Sequence, residues 1–123
     1  MEERTRSAIV NVSSVTSYAP MPTACEYAAS KKFISFFSTS LGAELKNTDM
    51  MIHAPGYVTT KLTNMRTGFD TITPEKSAYG ALRDLGREYE TNSCIIHEIV
   101  SWVVIYLNSV LSYERFGDLI FKA

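Results

Sequence analysis

The chain has 123 residues, which is enough for one domain or for part of one. Apolar residues make up 46% of it and charged residues 20%, as in an ordinary globular protein. The 12 Lys and Arg residues nearly balance the 13 Asp and Glu residues, so the sequence predicts neither a basic nucleic-acid-binding surface nor an acidic solvated tail.

The charged residues 1–6 are not followed by a long apolar segment, so we expect no signal peptide. Cys25 and Cys94 lie far apart, without a CxxC pattern or a histidine partner. They therefore predict neither a disulfide nor a metal site, and we interpret them as small buried thiols in a reducing compartment.

The first half of the chain predicts one strand and one long helix. Residues 8–13 are apolar almost throughout, which is typical of a strand that is covered on both faces of a parallel sheet. Residues 15–26 predict a loop that contains two prolines. Residues 27–46 predict a helix whose apolar face comprises Ala28, Phe33, Phe36, Phe37, Leu41 and Leu45. Gly42 is expected where another helix packs closely against this one.

The second half continues the alternation. Residues 50–54 predict a second strand, and Pro55 and Gly56 a turn. Thr73 and Pro74 are typical of a helix start, and we expect that helix to run to about residue 89. Residues 90–92 predict a turn and residues 94–97 a third strand. Strands and helices that alternate in this way predict an α/β fold with a parallel sheet.

The most apolar segment is residues 99–111. It is shorter than the roughly 20 residues that a bilayer-spanning helix needs. The segment therefore predicts a helix that is packed on protein or lies in a membrane interface.

Ser14, Tyr27 and Lys31 form the candidate catalytic group. Residues 9–14 place a serine at the carboxyl end of the first strand, and Tyr27 and Lys31 lie one turn apart on one helix face. A phenol has an ordinary pKa of about 10, and a nearby ammonium group lowers that pKa because it stabilises the phenolate. Such a tyrosine can exchange a proton with an oxygen held by Ser14, which is general acid–base catalysis on a carbonyl/alcohol pair.

Two further points follow from the residues alone. No side chain supplies a hydride, so redox chemistry at this group needs a nicotinamide. A tyrosine and a lysine on a helix are also common as plain surface residues, and the spacing leaves that alternative open.

Three motifs carry a resemblance to a known family: Asn11-Val12-Ser13-Ser14, Tyr27-Ala28-Ala29-Ser30-Lys31 and Pro55-Gly56-Tyr57-Val58-Thr59-Thr60. In this order and near this spacing, they resemble the C-terminal half of a short-chain dehydrogenase/reductase. The resemblance covers residues 1 to about 92 and, more loosely, the rest. It implies the C-terminal half of a Rossmann-like, doubly wound parallel sheet, with an apolar C-terminal helix.

The resemblance also implies residue roles. Tyr27 would be the catalytic acid/base, and Ser14 would orient the carbonyl group, with Ser13 the weaker candidate for that serine. Lys31 would bind the nicotinamide ribose and lower the tyrosine pKa. The family's cofactor site further implies Pro55 and Gly56 against the nicotinamide, and Val58 and Thr60 at its carboxamide.

Within the family, four segments look most like the group of 17β-hydroxysteroid dehydrogenases types 3 and 12 and very-long-chain 3-oxoacyl-CoA reductases. They are residues 1–4, 33–38, 60–62 and 95–97, the last followed by the apolar helix. This resemblance implies NADP(H), a small apolar carbonyl substrate (a 3-oxoacyl-CoA or a 17-ketosteroid), and a cytosol-facing place on the endoplasmic reticulum membrane. A cytoplasmic protein is the alternative.

The family's glycine-rich cofactor turn has no counterpart in this sequence. We therefore expect residues 1–97 to form a partial domain without its N-terminal cofactor-binding half, and residues 98–123 to form an apolar or amphipathic helical extension. Catalysis is expected only in a longer form. The alternative is an inactive interaction module that dimerises, with itself or a paralogue, through the helix at 27–46.

Overall fold

The computed structural model describes residues 7–111 and Arg115. Its five strands are β1 (Ser7–Val12), β2 (Thr48–His53), β3 (Tyr57–Val58), β4 (Thr71–Ile72) and β5 (Glu90–Thr91). Its three α-helices are α1 (Cys25–Glu44), α2 (Pro74–Asp84) and α3 (Ile95–Val110), and two short 3-10 helices cover Val15–Tyr18 and Lys61–Thr63. Of the predicted C-terminal extension at 98–123, the structure describes residues 98–111 and Arg115, and the rest lies outside the described residues.

A parallel sheet organises the fold, in the strand order β1-β2-β5. The central strand β2 contributes the most buried apolar side chains, Met51 and Ile52. The strands β3 and β4 form a separate parallel pair. Parallel strands need crossover connections, and α1 supplies the connection between β1 and β2. The predicted α/β fold with a parallel sheet is confirmed.

β1 differs from the prediction in its burial. A strand covered on both faces was expected, but Ile9 is 37% exposed and Val12 is 51% exposed. The reason is that β1 pairs with β2 alone in the described sheet and stands at its edge. Its apolar sequence is that of an interior strand, and an uncovered edge of this kind is prone to pair with other chains.

α1 turns its small and polar side chains towards the sheet. Ala28, Ser35 and Ser38 are buried, whereas the three phenylalanines of the predicted apolar face are exposed: Phe33, Phe36 and Phe37. A Cβ atom on Gly42 would lie 3.1 Å from the Cβ of Met50, so this glycine packs against β2. The sequence had predicted another helix packed at this position. The prediction of a buried thiol is also wrong for Cys25, which is exposed at the start of α1.

The ends of α2 and α3 test the remaining assignments. Thr73 caps α2 by accepting a hydrogen bond from the Lys76 N–H, which confirms the predicted start. α2 ends at Asp84, about five residues earlier than expected. The third strand lies at Glu90–Thr91, so its predicted place at 94–97 is wrong. Residues 95–97 instead form the first turn of α3, which begins directly after the extended residue Cys94.

α3 lies across the start of α1. Its Val104 forms a small apolar core with Ala19, Met21 and Ala28. No helix in the part of the chain that the structure describes is long and apolar enough to cross a membrane.

Candidate active site

The carboxyl ends of β1 and β2 lie side by side and build the candidate site. The Ser13 N–H donates to the His53 carbonyl at 2.8 Å, and the Val15 N–H donates to the Pro55 carbonyl at 3.2 Å. These bonds place the serine pair next to the turn at Pro55 and Gly56. Ligand sites of open parallel sheets occur at this edge, outside the carboxyl ends of the strands.

The two serines have different surroundings. The Ser13 hydroxyl contacts the Lys31 carbonyl and the Ser35 hydroxyl, both at 2.9 Å, and so fastens β1 to α1. The Ser14 hydroxyl accepts a hydrogen bond from the Thr16 N–H at 3.2 Å. Among the described residues, the proton of the Ser14 hydroxyl has no acceptor, so this serine keeps a donor for a ligand oxygen.

Tyr27 and Lys31 lie on the side of α1 next to the end of β1. The Lys31 Nζ donates to the Val12 carbonyl at 3.1 Å and lies 5.6 Å from the centre of the Tyr27 ring. An ammonium group carries three donors, so two remain after the bond to Val12. The Tyr27 side chain is 45% exposed, which leaves the ring open to a ligand.

The predicted cofactor-binding residues beyond Pro55 are held by a local network. The Gly56 N–H donates to Nδ1 of His97 at 3.1 Å. The Thr63 hydroxyl contacts the Val58 carbonyl at 2.7 Å, and the Thr60 N–H donates to the Thr63 hydroxyl at 3.0 Å. Thr63 therefore occupies backbone groups of both Val58 and Thr60, for which the family resemblance implies contact with the carboxamide.

A buried polar cluster behind the site was missed by sequence reasoning. Nε2 of His53 contacts the Ser93 hydroxyl at 2.6 Å and the Ser77 hydroxyl at 3.2 Å. Burial lowers the pKa of His53 below its usual 6.5. The only signal in the sequence was that His53 and His97 each lie in an apolar segment, and this does not reveal the hydrogen-bond partners of either histidine.

A second network joins the strand ends to the loop after β1. The Tyr18 hydroxyl donates to a Glu90 carboxylate oxygen at 2.8 Å and accepts from the Asn92 amide at 3.2 Å. Burial, followed by the Glu90 charge, raises the Tyr18 pKa. Asn92 also donates to the Ala54 carbonyl. Tyr18 is thereby committed to structure, unlike the more exposed Tyr27.

An open cavity of about 460 Å³ lies beside Tyr18, between the 17–22 loop and the first two turns of α1. Its lining is mainly apolar and includes Ala19, Met21, Cys25 and Ala28. Apolar concave surfaces of this size accommodate small organic ligands.

Comparison with known families places these features. The family model described as short chain dehydrogenase matches residues 1–69. The chain belongs to the short-chain dehydrogenase family. Members of this family generally use NAD(H) or NADP(H), so the predicted class of oxidoreductase is supported at that level. The matched residues include Ser14, Tyr27, Lys31 and the turn at Gly56.

The similar curated proteins are very-long-chain 3-oxoacyl-CoA reductases. The protein from Anas platyrhynchos is 36% identical over 106 residues, which are 84% of this chain and 34% of that protein. The reductase-B from Danio rerio is 36% identical over 87% of this chain and 35% of its own length. The Homo sapiens protein is 31% identical over 94% of this chain and 40% of its own.

A solved structure of a 7β-hydroxysteroid dehydrogenase shares the fold of this chain. It has a TM-score of 0.71 at 21% sequence identity, and the match covers 92% of this chain and 47% of that one. The described chain therefore spans about a third of the length of its curated relatives and about half of this structural neighbour.

Proposed function

We propose that this chain supplies the proton-transfer half of an NADP(H)-dependent oxidoreductase that interconverts a carbonyl and an alcohol on a lipid-like substrate. The observation that carries the proposal is the grouping of Ser14, Tyr27 and Lys31 at one sheet edge. Catalysis requires a longer form, in which β1 has its second neighbour. The names of the reductases to which the chain is similar favour a 3-oxoacyl-CoA substrate, with a 17-ketosteroid as the alternative.

The residues present fit the nicotinamide end of the cofactor. Lys31 has two remaining donors for ribose hydroxyls. The nicotinamide, when bound, supplies the hydride. No glycine-rich turn for the pyrophosphate occurs in this sequence, so the other half of the cofactor site has to come from residues outside it.

The proton chemistry follows from the side chains. In the reductive direction, Ser14 donates a hydrogen bond to the substrate carbonyl oxygen. Tyr27 gives its phenolic proton to the same oxygen as negative charge develops on it. The Lys31 ammonium stabilises the phenolate that remains. In the oxidative direction, the phenolate takes the proton from the alcohol.

Turnover is tested by fusing the N-terminal part of a very-long-chain 3-oxoacyl-CoA reductase to residues 7–123. The fusion should oxidise NADPH when a 3-oxoacyl-CoA is added, and Tyr27→Phe should abolish turnover while the fold is retained. Tyr79→Phe is the matched control, because Tyr79 is an exposed tyrosine on α2, a helix that carries none of the candidate catalytic residues. Full activity of Tyr27→Phe would refute the assignment.

Cofactor binding by the chain alone is a separate measurement. We expect purified 1–123 to bind NADPH weakly in a fluorescence titration, because the pyrophosphate site is not in the sequence. Tight binding would show that the other half of the cofactor site is dispensable.

The second candidate function is an interaction module. It is favoured by the exposed phenylalanines of α1, Phe33, Phe36 and Phe37, which form one outward face. In this case 1–123 should co-purify with a longer paralogue of the same family, and Phe33→Ser should abolish the complex. Turnover by the fusion with no such complex would favour the enzyme.

Association with the endoplasmic reticulum membrane is part of the proposal. α3 exposes Ile99, Trp102 and Tyr106 along one side, and aromatic side chains favour a membrane interface. Wild-type 1–123 should float with neutral liposomes, and Trp102→Ser should float less. Absence of flotation would favour the cytoplasmic alternative.

A further inference from the structure

We infer that His97 is a positioning residue that holds both ends of the segment 56–70 against α3. The inference rests on the proposed function, because this segment begins at the cofactor turn and carries Val58 and Thr60. The His97 ring is completely buried. Its Nδ1 accepts from the Gly56 N–H at 3.1 Å, and its Nε2 lies 3.2 Å from the Asp70 carbonyl oxygen.

The two partners fix the proton on the ring. A backbone N–H only donates and a carbonyl only accepts, so Nδ1 must be bare and Nε2 must carry the proton. Both bonds exist together only in this neutral tautomer. One imidazole thereby spans two backbone positions that are fourteen residues apart in the sequence.

Steric contact adds to the hydrogen bonds. A Cβ atom on Gly56 would lie 2.8 Å from Cδ2 of His97, 3.1 Å from Nε2 and 3.2 Å from Cγ. The ring therefore lies directly against the Gly56 backbone, and a side chain at this position would displace the ring. The position of the His97 ring therefore requires glycine at 56.

The segment between the two bonds is shaped by its own contacts. β3 pairs with β4, the Thr59 hydroxyl donates to the Arg66 carbonyl at 3.0 Å, and Arg66 forms an ion pair with Asp70 at 2.9 Å. The Arg66 guanidinium also lies 3.9 Å from the centre of the Tyr57 ring. His97 thus attaches a self-supporting loop to α3 at both of its ends, which sets the position of the whole loop at the site.

Two variants of the full chain 1–123 separate the two bonds. In His97→Asn, Oδ1 replaces Nδ1 as the acceptor for Gly56, whereas the donor to Asp70 is lost. In His97→Gln, the longer amide reaches Asp70 and the acceptor for Gly56 is lost. Amide hydrogen exchange, measured residue by residue by NMR, should be about fivefold faster at Gly56 in His97→Gln, as expected for loss of one hydrogen bond. In His97→Asn, exchange at Gly56 should stay as slow as in the wild type.

Ile52 supplies the internal reference, because its N–H is bonded to the Tyr89 carbonyl in the central strand. We call the two bonds of His97, to Gly56 and to Asp70, the clamp. Faster exchange at Gly56 in His97→Gln, with constant exchange at Ile52, supports the clamp. Unchanged exchange at Gly56, or an equal increase at Ile52, would overturn it. If neither variant folds, the ¹⁵N shifts of wild-type His97 decide, because the clamp requires a bare Nδ1 and a protonated Nε2.

The fusion enzyme connects the clamp to catalysis. His97→Gln should raise the KM for NADPH about fivefold with a smaller change in kcat. The KM of His97→Asn should stay close to the wild-type value. An unchanged KM would refute the positioning role. Absence of turnover in the wild-type fusion would refute the proposed function alone, since the exchange data come from the chain without cofactor.

Discussion

Two regions of the molecule differ in how completely their surfaces are satisfied. Around β5, α2 and the start of α3, buried polar side chains are hydrogen-bonded to other side chains or to the backbone: Ser93 to His53, Asn92 to the Ala54 carbonyl, and His97 to the Gly56 N–H. Around β1 and the outer face of α1, apolar side chains such as Ile9 and Phe33 are exposed. Among the described residues, the polar side chains of the first region are satisfied, whereas the apolar side chains of the second are uncovered.

The difference teaches that completeness is local in this chain. The turn at Gly56 and its support from α3 need only the described residues. The open face at β1 and α1 is left uncovered by the described residues, and the chain spans about a third of the length of its curated relatives. The parts of the site that depend on local packing are therefore present, while the adjoining face is uncovered.

The largest effect should come from Gly80→Ala, which attacks the closed region. A Cβ on Gly80 would lie 2.7 Å from the Cα of Ser93 and closer still to its carbonyl oxygen. Backbone atoms yield little, so we expect a loss of about 3 kcal/mol of unfolding free energy in urea denaturation. Gly42→Ala is the control in the other helix, where the gain of about 1 kcal/mol in helix propensity offsets contact with Met50. Equal effects would show that the two regions are packed alike.

Ser93→Ala should have the next largest effect. It removes a hydrogen bond to buried His53 and keeps a positive φ, so a loss of about 2 kcal/mol is expected in thermal or urea unfolding. Ser93→Gly loses the same bond but relieves roughly 1 kcal/mol of backbone strain, and should be the more stable variant. The opposite order would mean that Ser93 is not strained.

A change of pH should weaken the same cluster more gently. The pKa of His53 is lowered in the folded state, so the unfolded chain binds a proton more readily as the pH falls through about 6.5. Stability should therefore be full well above pH 6.5 and decrease as the pH falls through that value. His53→Gln should reduce this dependence. The pKa of Asp84 is also lowered, but its protonation reduces stability only below its usual pKa of 3.8, at a lower pH than the titration of His53.

The smallest effect should come from the open face. Phe33 is 68% exposed and stacks on Phe37 with ring centres 6.1 Å apart. Phe33→Ser should change the free energy of unfolding by about 0.5 kcal/mol or less. A loss of 2 kcal/mol or more, growing with protein concentration, would show that this face is covered by a partner in solution.

Local signals in the sequence predicted much of the framework. Thr73 and Pro74 mark a helix start whose cap is formed, and the apolar residues 8–13 predicted a strand within one residue of β1. The motif spacing also brought Ser14 next to the turn at Gly56, while the catalytic roles remain predictions. The domain boundary after residue 97 also remains a prediction.

The failures arose where distant contacts decide the structure. β1 carries the composition of an interior strand, and its own residues do not show what packs on its two faces. The strand at Glu90–Thr91 is only two residues long, and the apolar residues after it suggested a strand although they begin α3. The role of His97 depends on Gly56 and Asp70, which are 41 and 27 residues away, and no local pattern announces such partners.

α3 faces two environments at once, and this has a mechanical consequence. Its first turn carries the imidazole that grips the loop, and the next turns present Ile99 and Trp102 to the outside. A helix advances about 1.5 Å per residue, so sliding α3 by one residue would stretch both imidazole bonds past their working length. A surface that bound the outer face of α3 and shifted the helix would therefore also displace the loop at Gly56.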